Sequence, residues 1–150
     1  MPNTRPYVSA ACACEKVLHE PDGAISAIRI IDTITLTRPP NAPTGVRRVT
    51  NFKLLVLLKS GDVEGKSEVA LKLRAPNGRV TSSYGPWPII LTGGEQGASL
   101  VINFDMQVVD FGLFWFDVYW NGEQLSSIPI KLKQGEPVAE PVPDASSQPV

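Results

Sequence analysis

Along most of this chain apolar and polar residues alternate with a period of two, in short runs closed by turn residues. The clearest run is 98–108, where Leu100, Ile102, Phe104, Met106 and Val108 alternate with Ser99, Asn103, Asp105 and Gln107. A strand sends successive side chains to opposite faces, so this pattern predicts a half-buried β-strand. Residues 48–59 repeat it, with Phe52, Leu54, Val56 and Leu58 on one face and Asn51, Lys53, Leu55, Leu57 and Lys59 on the other. Residues 67–74 place Val69, Leu71 and Leu73 inward and Glu68, Lys72 and Arg74 outward. Residues 113–120 carry the aromatic residues. Asn121-Gly122 is a strong hairpin signal and returns the chain into 124–133, where Ile128, Ile130 and Leu132 alternate with Pro129, Lys131 and Lys133. Pro129 cannot donate to a ladder, so it predicts an edge strand or a position facing away from its neighbour.

The first part of the chain admits two periods. Ala10, Ala11, Cys14, Val17 and Leu18 would form a helical stripe, but Pro21-Asp22-Gly23 is a turn and the next run is extended. Strand 7–19, turn, strand 24–36 is the reading that fits its surroundings. Ile28, Ile30, Ile34 and Leu36 then share a face that Asp32 interrupts, which predicts a bulge or a buried carboxylate with partners. Residues 37–47 hold three prolines and a glycine and predict a long loop; residues 85–97 predict another, with a short apolar piece at 89–91.

The sum is an all-β protein: an immunoglobulin-like antiparallel β-sandwich of seven to eight strands over residues 1–133. Residues 134–150 hold Pro137, Pro141, Pro143 and Pro149, no aromatic residue, and Glu136, Glu140 and Asp144 without a base. This segment has nothing to bury and is expected to be a disordered acidic tail.

Two stretches carry a resemblance. One is Ala13-Cys14-Glu15-Lys16-Val17 with the turn at 21–23 and Gly23-Ala24-Ile25-Ser26-Ala27-Ile28-Arg29-Ile30-Ile31-Asp32-Thr33-Ile34. The other is Phe111-Gly112-Leu113-Phe114-Trp115-Phe116-Asp117-Val118-Tyr119-Trp120-Asn121-Gly122. Over residues 7–133 the chain resembles a family of bacterial proteins to which no activity is assigned. Where that family has a glycine-containing segment, this chain has Ile28-Arg29-Ile30-Ile31. The resemblance implies an immunoglobulin-like sandwich and no particular activity.

Composition narrows the function classes. Only 19 % of residues are charged and the formal net charge is −1, which argues against non-specific nucleic-acid binding. No apolar run approaches the ~20 residues of a spanning helix, and the first residues show no export signal, so the expectation is a cytoplasmic protein that does not enter membranes. Cys12 and Cys14, two apart on one strand face, read as reduced buried thiols, and the single histidine, His19, falls on the opposite face. No catalytic residue, cofactor or metal is expected: there is no nucleophile elbow, no phosphate loop and no calcium loop.

One feature stands above this background. Strand 113–120 is apolar on both faces: Phe114, Phe116, Val118 and Trp120 on one, Leu113, Trp115, Asp117 and Tyr119 on the other. If this penultimate strand pairs with the third strand at 48–59, then Leu55, Leu57, Trp115 and Tyr119 meet beside Asp117 on the outer face of one sheet. That candidate patch predicts a non-catalytic module that binds a protein partner or a second copy. A carbohydrate-binding module is the alternative, with sugar rings on Trp115 and Tyr119 and hydroxyls on Asp117. Cover of the patch by loop 37–47 or 79–97 is the structural alternative to both.

Overall fold

The computed structural model describes residues 5–36, 47–108 and 110–135. Nine strands follow in order: β1 (Tyr7–His19), β2 (Ile25–Ile31), β3 (Thr33–Leu36), β4 (Arg47–Lys59), β5 (Glu64–Arg74), β6 (Val80–Thr92), β7 (Gly97–Val108), β8 (Gly112–Trp120) and β9 (Glu123–Gln134). They form two sheets, one ordered β2-β1-β4-β7 and the other β3-β9-β8-β5-β6. All pairings are antiparallel except β3 with β9.

The core lies where the two inner faces meet. Phe52, Leu54, Val56 and Leu58 of β4 and Phe104 of β7 face Val69, Leu71 and Leu73 of β5 and Phe114, Phe116 and Val118 of β8. Four aromatic rings join the sheets at its centre. Phe52 stacks on Phe104 at 5.2 Å between centroids, Phe116 lies 4.6 Å from Phe104, and Tyr84 meets Phe104 edge-on at 5.0 Å. Offset and edge contacts of this kind are the favoured aromatic geometries.

The strand order is that of an immunoglobulin-like sandwich with one addition. Without β1, the sheets would read β2-β4-β7 and β3-β9-β8-β5-β6, the Greek-key order of that class. β1 is inserted between β2 and β4, pairing with both.

Two expectations need correction. Residues 24–36 are two strands in different sheets, not one. The chain changes sheets at Asp32, which is exposed and whose carbonyl accepts a hydrogen bond from Lys131 N at 2.9 Å. The change of sheet resets the alternation. Ile31, Ile34 and Leu36 pack on the core, whereas Ile28 and Ile30 point outward and Ile30 is 68 % exposed.

Residues 80–92 form a strand, β6, rather than a loop. It is an edge strand, so Pro86 and Pro88 need no ladder partner on its open side; the register shifts between Val69 and Leu71 of its neighbour, opposite a cis Gly85–Pro86 bond.

Of the two places expected for Pro129 the structure shows the second, facing away from its neighbour β8; β9 is not an edge strand over its whole length, because β3 pairs with Lys131–Gln134. Pro129 lies beyond the reach of that pairing. Its nitrogen faces the same side as that of Lys131, where the neighbouring strand has not yet begun. The long loop expected at 37–47 and the tail expected at 134–150 fall outside the described residues, except Arg47, Gln134 and Gly135.

Candidate functional site

The structure divides the expected patch. Leu55 and Leu57 are on β4, in the four-stranded sheet; Trp115, Asp117 and Tyr119 are on β8, in the five-stranded sheet. β8 pairs with β5 and β9, not with β4. The cause is the extra first strand. It shifts the count by one, so the place beside the penultimate strand belongs to β5. Leu55 is only 5 % exposed even though it sits on the face away from the inter-sheet core, across from Cys12 and Val101. Leu57 is half-buried between Ala10 and Ser99.

Trp115, Asp117 and Tyr119 do share one outer face, and β5 supplies the side chains that organise it. Arg74 is directly opposite Trp115, Lys72 opposite Asp117, and Ala70 opposite Tyr119. Arg74 grips the Asp117 carboxylate through two atoms, Nε to Oδ2 and Nη2 to Oδ1, both at 3.1 Å. From β9, Ser127 donates to Oδ1 at 2.6 Å and Gln124 to the same oxygen at 3.4 Å. Gln124 also donates to Ser127 Oγ at 2.7 Å.

Asp117 is 3 % exposed, and burial alone would push its carboxyl up. The hydrogen bonds from Arg74 and Ser127, with the charges of Arg74 and Lys72, outweigh burial and hold it below the ordinary 3.8.

The two aromatic rings are each attended by a cation. Lys72 Nζ lies 4.6 Å from the centroid of Tyr119, and the Arg74 guanidinium lies 5.5 Å from that of Trp115. Lys66 on β5 and Lys131 and Lys133 on β9 continue the same face, where the acids of these strands are Glu64, Glu68 and Asp117. The face is therefore cationic and aromatic, with its buried charge paired. Lys72, Arg74, Gln124 and Ser127 were missing from the expected site. The outward alternation of Lys72 and Arg74 was visible in the sequence, but not that β5 would lie against β8.

The thiols and the histidine singled out in the sequence lie apart from this face. Cys12 and Cys14 are free thiols on the outer face of the four-stranded sheet; burial and then the neighbouring Cys14 push the Cys12 thiol up. His19 ends β1 and is exposed. Among the described residues no group of three or more His, Cys, Asp or Glu is placed to hold a metal ion, and no helix is long and apolar enough to cross a membrane.

No family model matches the chain, and no curated protein matches it. Solved structures resemble it at low identity. An alkylpurine DNA glycosylase from Pseudomonas fluorescens, bound to DNA with an abasic-site analogue, is 14 % identical, with a TM-score of 0.45 over 86 % of this chain and 30 % of its own. A β-glucosidase from Listeria innocua in complex with glucose is 10 % identical, with a TM-score of 0.47 over 91 % of this chain and 17 % of its own. An immunoglobulin-like protein from Pseudomonas aeruginosa is 14 % identical, with a TM-score of 0.41 over 87 % of this chain and 98 % of its own. The chain thus spans under a third of the glycosylase and under a fifth of the glucosidase.

Proposed function

We propose that this chain is a non-catalytic binding module that meets a protein partner through the outer face of its five-stranded sheet. The observation that carries this reading is the array Trp115–Arg74–Asp117 with Tyr119–Lys72. Two aromatic side chains and two cations stand at fixed places on regular strands, tied together by the buried Asp117. Trp, Tyr and Arg are the residues that dominate binding energy at protein interfaces. Anchors already held in place lose little freedom on binding, which favours affinity. The excess of cations favours a partner surface bearing Asp or Glu, whose approach they would accelerate.

Sugar binding has less support. The hydroxyl acceptor assigned to it, Asp117, is buried and already receives Arg74, Ser127 and Gln124.

Affinity capture tests the proposal with three immobilised chains: the wild type, Trp115→Ser with Tyr119→Ser, and Ile30→Ser as a control on an exposed residue of the other sheet. The expected result is a partner held by the wild type and the control and lost from the double variant, with circular dichroism showing all three folded. Capture of the same proteins by all three chains overturns it.

A further inference from the structure

A sheet edge presents unpaired N–H and C=O groups and is a template for another strand unless something blunts it. The described strands leave four sheet edges, and three are blunted. β3 is four residues long. β2 has seven residues and contains Arg29 in a left-handed conformation, φ 55°. β6 carries Pro86 and Pro88 and two register shifts against β5.

β7 is different. It runs for twelve residues without proline, and its ladder with β4 is unbroken from Gly97 to Phe104. Among the described residues, nothing pairs with its other side. Its inward residues Leu100 and Ile102 remain half-buried, whereas Val56 and Leu54, their partners on β4, are fully buried. The rim of the core is therefore open along β7.

We propose that a second copy of this chain adds across this edge, β7 against β7, antiparallel, with a twofold axis at Val101. The strand is complementary to itself in that register. On the inner side, Leu100 meets Ile102 of the second copy, and the small Ala98 meets the large Phe104. On the outer side, Val101 meets its own copy and Ser99 meets Asn103. Gly97 faces Asp105 of the second copy, and here charge completes the match. Lys59 of β4 pairs with Gly97, and its Nζ lies 3.8 Å from where a Gly97 side chain would begin. The ammonium lies over the bare glycine, on the strand position that would face the second copy's Asp105. Asp105 also has a contact within its own chain, and a carboxylate accepts more than one donor. The twofold makes the contact twice, and the two four-stranded sheets become one continuous sheet of eight.

The test uses the full chain and its mass in solution at about 100 µM, a concentration that populates even a weak specific dimer. Ser99 and Asn103 are both exposed, so substitutions there leave the monomer fold intact. The expected wild-type mass is twice the 16.2 kDa of the chain. Ser99→Glu with Asn103→Glu sets like charges opposite each other twice and should give the monomer. Ser99→Glu with Asn103→Lys sets opposite charges there and should restore the dimer. A monomeric wild type overturns the proposal, and so does a dimer that survives the first pair of substitutions. Failure of the second pair to restore the dimer overturns the axis at Val101.

Discussion

Asp117 shows how one residue can be costly to bury and still stabilise its sheet. Its two oxygens receive Arg74, Ser127 and Gln124 from the strands on either side, so it ties β5 and β9 to β8. Asp117→Ala leaves the donors without their acceptor and should cost about 2 kcal/mol, read by urea unfolding. Its pH signature has a definite sign. The folded carboxyl lies below 3.8, so the stabilisation is complete well above that pH and fades as pH falls through 3.8 and then through the lower folded value. Melting temperatures recorded from pH 6 downward should therefore fall more steeply for the wild type than for Asp117→Asn; parallel curves would contradict this. Leu55 makes a second residue-scale case. It points away from the inter-sheet core and yet is 5 % exposed, so Leu55→Ala should cost about 2 kcal/mol or more, as for other buried leucines.

At the scale of elements, the β8–β9 hairpin is tied down at its turn. Asn121 and Gly122 have φ values of 46° and 81°, the left-handed pair that a two-residue hairpin demands. Asn121 N donates to Glu68 O, and Asn121 Oδ1 accepts from Glu68 N, both at 2.9 Å, so the turn is also fastened to β5. Nothing lies within 4 Å of where a Gly122 side chain would begin. Gly122→Ala should thus cost only backbone strain, about 1 kcal/mol, whereas Asn121→Ala loses the bond to Glu68 as well and should cost more. Denaturant midpoints of the two variants check the order. This hairpin was legible in the sequence because its chemistry is local, and so were β4, β5 and β7, whose alternation is a property of a single strand; β1, with two periods open to it, was read from its neighbours. β6 was not legible: what permits Pro86 and Pro88 is its place at the edge of a sheet, which no local pattern states. The split at Asp32 was visible as an anomaly, but its meaning, a change of sheet, depends on β9. The candidate site failed for the same reason. Trp115, Asp117 and Tyr119 were correctly placed on one face of one strand, while Leu55 and Leu57 were attached to them through a pairing that the added β1 displaces.

At the scale of the whole molecule, the two sheets share one core, closed by Phe52, Phe104, Phe116 and Tyr84. Trp87, Trp115 and Trp120 all belong to the five-stranded sheet. Tryptophan fluorescence therefore reports that sheet alone, whereas far-ultraviolet circular dichroism reports both. A common core predicts coincident unfolding by the two probes; separate midpoints would show sheets that melt independently. Phe116→Ala should lower both midpoints together, by about 3–5 kcal/mol of stability.

The position of β1 carries a consequence in time. It precedes the other eight described strands in the chain, yet it ends inside its sheet, between β2 and β4. β2, made next, leads into β3, whose partner β9 follows all the other described strands: Thr33 waits for Lys131. β3, though early in the chain, is thus among the last strands to be paired. Pairings so distant along the chain make for slow folding. The nascent β1–β2 hairpin must keep its apolar face out of trouble until β8 and β9 of the opposing sheet have emerged.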